Sequence, residues 1–415
     1  MWVRKRIDIT WPDITVGAVS CCIPRNRGAI RRQIEDLWSK SGDAIVCLSV
    51  RSGFDLLLGA LRLPPGSEVL VSAANIADMT RILEHHRLIP VPVDLDVQRM
   101  SPTAESLRRA ITPATRAIMI AHLFGSRVPV DPMLQLAKEH SLLFFEDCAQ
   151  AFDGTEYRGH AESDVVMFSF GPVKSATALG AALLQVRDPE VLERMRRQQD
   201  TYPVQRRWVY GSRLLKYAVM RWGGSSRWVF GAAVRVCRWL GRDYDRIIGD
   251  AAHGFSKSHF FTRIRRQAST PVLAVLNRRL QKYDGKRLAL RAARGRFLAG
   301  LLRHRVPCPA SEVVPHTFWV FPVVVGDPRG VIAALARAGF DCTQGHNLCA
   351  GTAPADRPEL DPVAARDVLS KMIYLPCYPE MPDDALERMA QVLLGECDRS
   401  AATDSTGLAQ VADVP

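Results

Sequence analysis

The sequence predicts an α/β protein: a large domain on a mainly parallel seven-stranded sheet flanked by helices, followed by a smaller α/β domain. Three observations carry this. From about residue 44, short apolar runs rich in Val and Ile alternate with amphipathic stretches, as strands buried on both faces and their covering helices do. The chain has 415 residues, more than a single core usually organises. A second strand-and-helix pattern begins after residue 290.

Seven strands are expected in the large domain, at Ala44–Val50, Glu68–Ser72, Ile89–Val93, Ala117–Ala121, Leu142–Phe145, Asp164–Phe168 and Ala181–Val186. The intervening segments Phe54–Leu63, Ala77–His86, Ala104–Ile111 and Pro132–His140 supply the crossover helices that parallel strands require. Ser101-Pro102 ahead of the third suits an N-cap followed by the first helical position. A long helix is expected around Pro271–Leu288. The small domain, 291–397, reads as strands near Thr317–Val325 and Met372–Leu375 with helices near Gly330–Ala338 and Asp383–Leu394. The polar tail 398–415 is expected to be disordered. The large domain, 1–290, carries an insert at 206–242 with nine Arg or Lys, four of the eight Trp and neither Asp nor Glu.

Composition narrows the class. An apolar fraction of 47% and a charged fraction of 24% are those of a folded globular protein. The ten cysteines include no CxxC pair, and Cys21 and Cys22 are adjacent, poor geometry for a mutual disulfide or a zinc site. His85 and His86 are adjacent too, and no His spacing suits a metal. Asp8 and Asp13 interrupt the N-terminal segment, which argues against a secretory signal. No uninterrupted apolar run reaches the roughly 18 residues of a spanning helix, so a cytoplasmic location is expected. The net charge of +12 suits nucleic acid, an anionic membrane surface or a polyanionic substrate alike. No nucleic-acid reader motif, Walker A loop or GxGxxG fingerprint occurs.

Three motifs carry chemistry. Glu146-Asp147-Cys148-Ala149-Gln150 follows an apolar strand, and ligands of parallel sheets sit at the carboxyl ends of strands. A buried Asp there stays ionised only beside a cation; capping a turn is its other reading. Phe168-Ser169-Phe170-Gly171-Pro172-Val173-Lys174-Ser175 follows another strand. A lysine in apolar surroundings offers the neutral amine an imine needs, although a lone lysine after a strand is more often solvated. Arg51-Ser52-Gly53-Phe54-Asp55 opens a helix, where backbone N–H groups suit a phosphate.

In order and spacing these motifs resemble the DegT/StrS family of sugar aminotransferases, within the fold-type-I pyridoxal-phosphate (PLP) enzymes, from about residue 26 to 396. Further matches are Gly66–Val71, Val93-Asp94-Leu95-Asp96, Ala117–Gly125 with His122-Leu123-Phe124-Gly125, and Tyr374-Leu375-Pro376. The resemblance implies a fold-type-I transferase in which Lys174 is the Schiff-base lysine and proton shuttle. It implies that Asp147 pairs the pyridinium nitrogen, that Gln150 contacts the ring oxygen, and that Ser169, Ser52 and Gly53 bind the cofactor phosphate. Phe54 stands where the family has Thr, Ile76 where it has a stacking aromatic, and Leu179-Gly180-Ala181-Ala182 where it has a glycine-rich run. A phosphate-binding Asn from a second subunit is missing, with Arg265 or Arg266 as its replacement, and His316 and His346 fall near substrate-site histidines.

The implied reaction is amino transfer, commonly from glutamate, to a keto-sugar or related keto compound, in a homodimer with shared active sites. Lys174 argues against a related branch that has histidine there and performs dehydration. The competing reading is a catalytically degenerate member with a regulatory or scaffold role. For the insert, docking on the inner face of a membrane stands beside a dimer-contact or substrate-covering role.

Overall fold

The computed structural model describes residues 1–4, 6–154, 157–225, 231, 259–345 and 347–411. Eleven strands are described: β1 Ala44–Cys47, β2 Glu68–Ser72, β3 Ala74–Asn75, β4 Ile89–Val93, β5 Thr115–Ala121, β6 Leu143–Asp147, β7 Val165–Ser169, β8 Ala182–Val186, β9 Phe321–Val324, β10 Cys349–Ala350 and β11 Met372–Leu375. Seven form the large sheet in the order β1-β8-β7-β6-β5-β2-β4. From β7 through β6, β5 and β2 to β4 every pair is parallel; β8 alone runs against both of its neighbours, β1 and β7. The carboxyl ends of β1, β5, β6 and β7 therefore share one edge.

The apolar runs recognised as strands are buried on both faces. Two clusters of buried side chains, centred on Phe168, Leu183 and Leu276 and on Phe54, Met119 and Leu184, cover opposite sides. The small domain has its own core around Leu298, Phe321, Leu335 and Leu393, over the antiparallel pair β9–β11.

Four expectations are corrected. The first strand ends at Cys47, because the Ser49 side chain accepts the Ser52 N–H and starts a helix, Val50–Leu61. The long helix is two, Thr270–Gln281 and Gly285–Leu302; Asp284 caps the second by accepting the Lys286 N–H. That second helix runs through the boundary expected at 290 into the small-domain core, which also takes up Trp2 and Val3. The last helix spans Asp383–Val411 where disorder was expected from 398; Arg399, Ala401, Ala402, Leu408, Ala409 and Gln410 in that extension are good helix formers.

Of the insert, residues 207–225 form a helix; 226–230 and 232–242 lie outside the described residues. No helix among the described residues is long and apolar enough to cross a membrane.

Candidate active site

Asp147 ends β6, flanked by Ala121 of β5 and Met167 of β7. Its side chain is 9% exposed and Oδ1 accepts the Ala149 N–H at 2.9 Å. Burial raises its carboxyl above the usual range, against the Ala149 N–H and the Lys174 charge. Lys174 sits in the turn after β7, its backbone N–H donating to the Gly171 carbonyl. Burial lowers its ammonium to about 8, with Asp147 opposing and Arg51 adding to the fall. A buried acid short of positive charge thus lies near a lysine able to shed its proton near neutrality.

Gln150 is oriented by its backbone neighbour. Oε1 accepts the Phe124 N–H at 2.8 Å, and since that backbone group can only donate, the amide Nε2 is left as the outward donor. At the end of β7, Ser169 Oγ accepts the Gly171 N–H at 3.4 Å. Across the same edge, Ser52 Oγ lies 2.9 Å from Ser49 Oγ in the first turn of helix Val50–Leu61, where the aligned peptide dipoles favour an anion.

Gly53 and Phe54 have a different place from the one expected. The Gly53 N–H already donates to the Ser49 carbonyl, and a Cβ on Gly53 would lie 2.4 Å from Leu184 Cδ1. The glycine is there to let the helix lie on β8. Phe54 is wholly buried in the core beneath it and offers a ligand no side-chain surface. Ile76, at the start of helix Ala77–His85, is half-buried, so any ring it contacts meets an aliphatic face.

Arg265 is tied to an acid of its own chain. Nε and Nη2 form a two-pronged pair with Asp55, both bonds 2.9 Å, and Nη2 also meets His85 Nε2 at 2.8 Å. Asp55 is 1% exposed, and Arg265 and His86 hold its carboxyl below the usual range despite burial, so the arginine is committed to that charge. Arg266 Nε donates to the Thr262 carbonyl at 3.4 Å. His316 is buried: Nδ1 accepts the Phe318 N–H at 2.8 Å, Nε2 has no hydrogen-bond partner among the described residues, and burial and nearby Arg291 push it down to about 3. It is a neutral ring tilted by 31° against that of Phe318. His346 lies outside the described residues.

Sequence reasoning missed Trp319. Its indole Nε1 donates to the Val173 carbonyl at 2.9 Å, and its ring centre lies 4.2 Å from Lys174 Nζ. The signal was Gly125, where φ is +98° and a Cβ would lie 2.5 Å from Thr317 Oγ1 and 2.6 Å from the Trp319 nitrogen. Only glycine there admits the loop that carries Trp319.

A buried network stands behind Asp147. Glu146 accepts from His122 Nε2 at 2.8 Å, the Ser163 hydroxyl at 2.6 Å, the His160 N–H at 2.7 Å and the Tyr157 hydroxyl at 3.0 Å. His122, Glu146 and Cys148 are close enough to suggest an ion. However, His122 Nδ1 already accepts the Val128 N–H, which leaves no lone pair for one.

Residues 32–211 match the DegT/DnrJ/EryC1/StrS aminotransferase family. The matched segment contains Ser52, Asp147, Gln150, Ser169 and Lys174. A GDP-perosamine synthase of Caulobacter vibrioides is 34% identical over 170 residues, 40% of this chain and 46% of that protein. A dTDP-3-amino-3,4,6-trideoxy-alpha-D-glucose transaminase of Streptomyces venezuelae is 36% identical over 189 residues, 43% of this chain and 46% of that one. The chain thus aligns with less than half the length of these relatives.

The fold extends further than the sequence match. The sugar aminotransferase CalS13 of Micromonospora echinospora superposes with a TM-score of 0.65 at 19% identity, over 95% of this chain and 100% of its own. The putative sugar aminotransferase Spr1654 of Streptococcus pneumoniae does so with a TM-score of 0.68 at 16% identity, over 97% and 98%. The chain therefore shares the fold of these two solved structures over nearly its whole length.

Proposed function

We propose that the protein is a PLP-dependent aminotransferase that moves an amino group, from glutamate, onto a nucleotide- or lipid-linked keto-sugar or related keto compound. The observation that carries this is the approach of two ionisable groups at one sheet edge: buried Asp147, short of a cation, and Lys174, lowered to about 8. The site fits the cofactor. Asp147 would hold its ring nitrogen, Gln150 Nε2 would donate to its ring oxygen, and Ser52, Ser169 and the first turn of helix Val50–Leu61 would hold its phosphate. Bound there, PLP supplies a carbonyl carbon for amines and a ring that draws electrons from the bond being broken.

The protein's own part is positioning and proton movement. Lys174 Nζ gives and takes the proton, Asp147 stays ionised to keep the ring nitrogen charged, and Trp319 shields the amine from water. Retention of Lys174 sets this reading above a degenerate binding protein. To test it, purified protein reconstituted with PLP is mixed with glutamate and 2-oxoglutarate release is measured. The reading requires stoichiometric release that Lys174→Ala abolishes; a reconstituted protein that releases none fails it.

Two features of the assembly belong to the same reading. The working unit is a homodimer with shared sites, checked by sedimentation of the reconstituted protein. The protein acts in the cytoplasm at the inner membrane face. Supporting this, Trp208, Leu215, Val219 and Trp222 on helix Arg207–Ser225 are 60–68% exposed and fall on one helical face, while Tyr210, Leu214 and Tyr217 are buried. With nine basic and no acidic residues over 206–242, the partner that fits is an anionic lipid surface. Flotation with vesicles containing phosphatidylglycerol tests it: binding is expected and should fall in the quadruple Ser variant of those four residues. Absence of binding, or a helix face covered by the second subunit, excludes it.

A further inference from the structure

Helix Trp11–Cys22 lies antiparallel beside helix Arg207–Ser225. Cys21 Sγ is 3.8 Å from the Arg207 carbonyl at one end, and the Trp11 ring centre is 5.8 Å from the Arg221 guanidinium at the other. Between them, a Cβ on Gly17 would lie 2.9 Å from Leu214 Cδ2 and 3.1 Å from Val275 Cγ2, so glycine lets both helices close on helix Thr270–Gln281 beneath them. Tyr210 Oη donates to the Ala178 carbonyl at 3.0 Å and Arg213 Nη1 to the Leu179 carbonyl at 2.8 Å, which pins the pair to the segment after Lys174. Two helices side by side on a third turn their outer faces the same way.

Those outer faces reverse the polarity of a helix in water, which keeps charged and polar groups outside. The exposed positions of Trp11–Cys22 are Trp11, Pro12, Thr15, Ala18, Val19 and Cys22, none of them charged, and exposed Ile23 follows. The helix's one charged residue, Asp13, is 2% exposed and accepts from Arg278 and Arg279. The exposed hydroxyls are spent on their own helices: Thr15 Oγ1 donates to the Trp11 carbonyl at 3.1 Å and Ser212 Oγ to the Val209 carbonyl at 3.0 Å, so neither needs water. On the second helix Lys216 is exposed, with a stem long enough to lie on apolar surface while its ammonium reaches a headgroup. The exposed charges flanking the two faces, Arg25 and Arg206, are basic as well. A second copy of the same face would set like charges against each other, whereas an anionic lipid surface offers both the apolar phase and the opposite charge.

We propose that helix Trp11–Cys22, outside the basic insert, is the second half of a two-helix platform for an anionic lipid surface, with Trp11, Val19 and Ile23 entering the lipid beside the Trp208–Trp222 face. Resting on the membrane-docking reading of the insert, the platform adds a second line of contact, so that the protein meets the lipid on a plane rather than along one helix. Because Tyr210 and Arg213 tie the platform to the carbonyls of Ala178 and Leu179, docking fixes the orientation of the Lys174 segment to the lipid surface.

The test uses the full chain reconstituted with PLP and vesicles containing phosphatidylglycerol. A triple variant, Trp11→Ser with Val19→Ser and Ile23→Ser, changes only exposed positions. It should keep its circular dichroism while partitioning onto the vesicles weakens by roughly tenfold or more. In the unaltered protein, phosphatidylglycerol carrying a photoreactive diazirine should label peptides from both 11–23 and 207–225. Unweakened partitioning, or labelling confined to 207–225, overturns the platform and leaves the insert's own docking in place. A triple variant that partitions normally but sediments as a smaller species assigns the face to a second copy and overturns the platform too. Unaltered protein that does not bind the vesicles removes the membrane reading itself, and the platform with it.

Discussion

Lys174 Nζ and the Trp319 ring centre are 4.2 Å apart, so the amine is covered by an indole that is itself fixed to the Val173 carbonyl. Burial is the largest cause of the fall in Lys174 to about 8 from its ordinary 10.5. In the cofactor-free protein, the rate at which Lys174 is trapped by an aldehyde and borohydride should therefore rise through a midpoint near 8. Trp319→Ala admits water and should move the midpoint upward. An unmoved midpoint in that variant would show that the indole does not desolvate the amine.

Asp147→Asn should act in opposite directions on stability and on chemistry. The Asp147 carboxyl is raised in the folded protein, so its ionisation opposes folding at neutral pH. That cost is absent below the unfolded value of 3.8 and grows as pH rises through the folded value. Without cofactor, the Asn variant should melt higher than the unaltered protein at pH 7, with the gap closing toward pH 3.8. With cofactor, the half-reaction with glutamate should slow by about a hundredfold or more, as expected when a preorganised charge is removed. A variant that is less stable without cofactor and equally fast with it contradicts both parts.

For Glu146 the sign is reversed. Despite burial, His122, Ser163 and the His160 N–H hold its carboxyl down to about 2, below the ordinary 4.5. Its contribution to stability is present above 4.5 and lost as pH falls toward 2. Glu146→Gln leaves buried donors mismatched and should cost on the order of 3 kcal/mol at pH 7, read as a lower midpoint in urea. The cost should shrink below pH 4.5; one that is constant with pH would rule out the ionised pair as its source.

After Lys174, Leu179 has φ +58° and Ala181 φ +72°. The backbone is left-handed at both although neither is glycine. A side chain held there costs about 1 kcal/mol, so Ala181→Gly should stabilise the protein by that order in thermal or urea unfolding. Destabilisation would mean that the Ala181 methyl packs well enough to outweigh the strain.

The sheet was legible because β2, β4, β5, β6, β7 and β8 are each built on a short apolar run, and burial on both faces writes itself into composition. The shared edge of Asp147, Gln150, Ser169 and Lys174 was legible because each lies at or just after the end of an apolar strand, and the sheet carries local spacing to one edge. Trp319 was not, since it reaches Lys174 from the small-domain loop, more than a hundred residues downstream. Gly125 held its one local trace. The pairing of Arg265 was not legible because nothing in its own segment reveals Asp55, the acid 210 positions earlier that holds it. Phe54 was misread because position in a motif says where a backbone runs, while burial decides which side chain faces the ligand.

The most direct test of the central claim is to reconstitute the full chain with PLP, reduce it with borohydride and map its peptides by mass spectrometry. One pyridoxyl-phosphate group per chain is expected, on Lys174, and none in Lys174→Ala. A label on another lysine, or none on the unaltered protein, would contradict it.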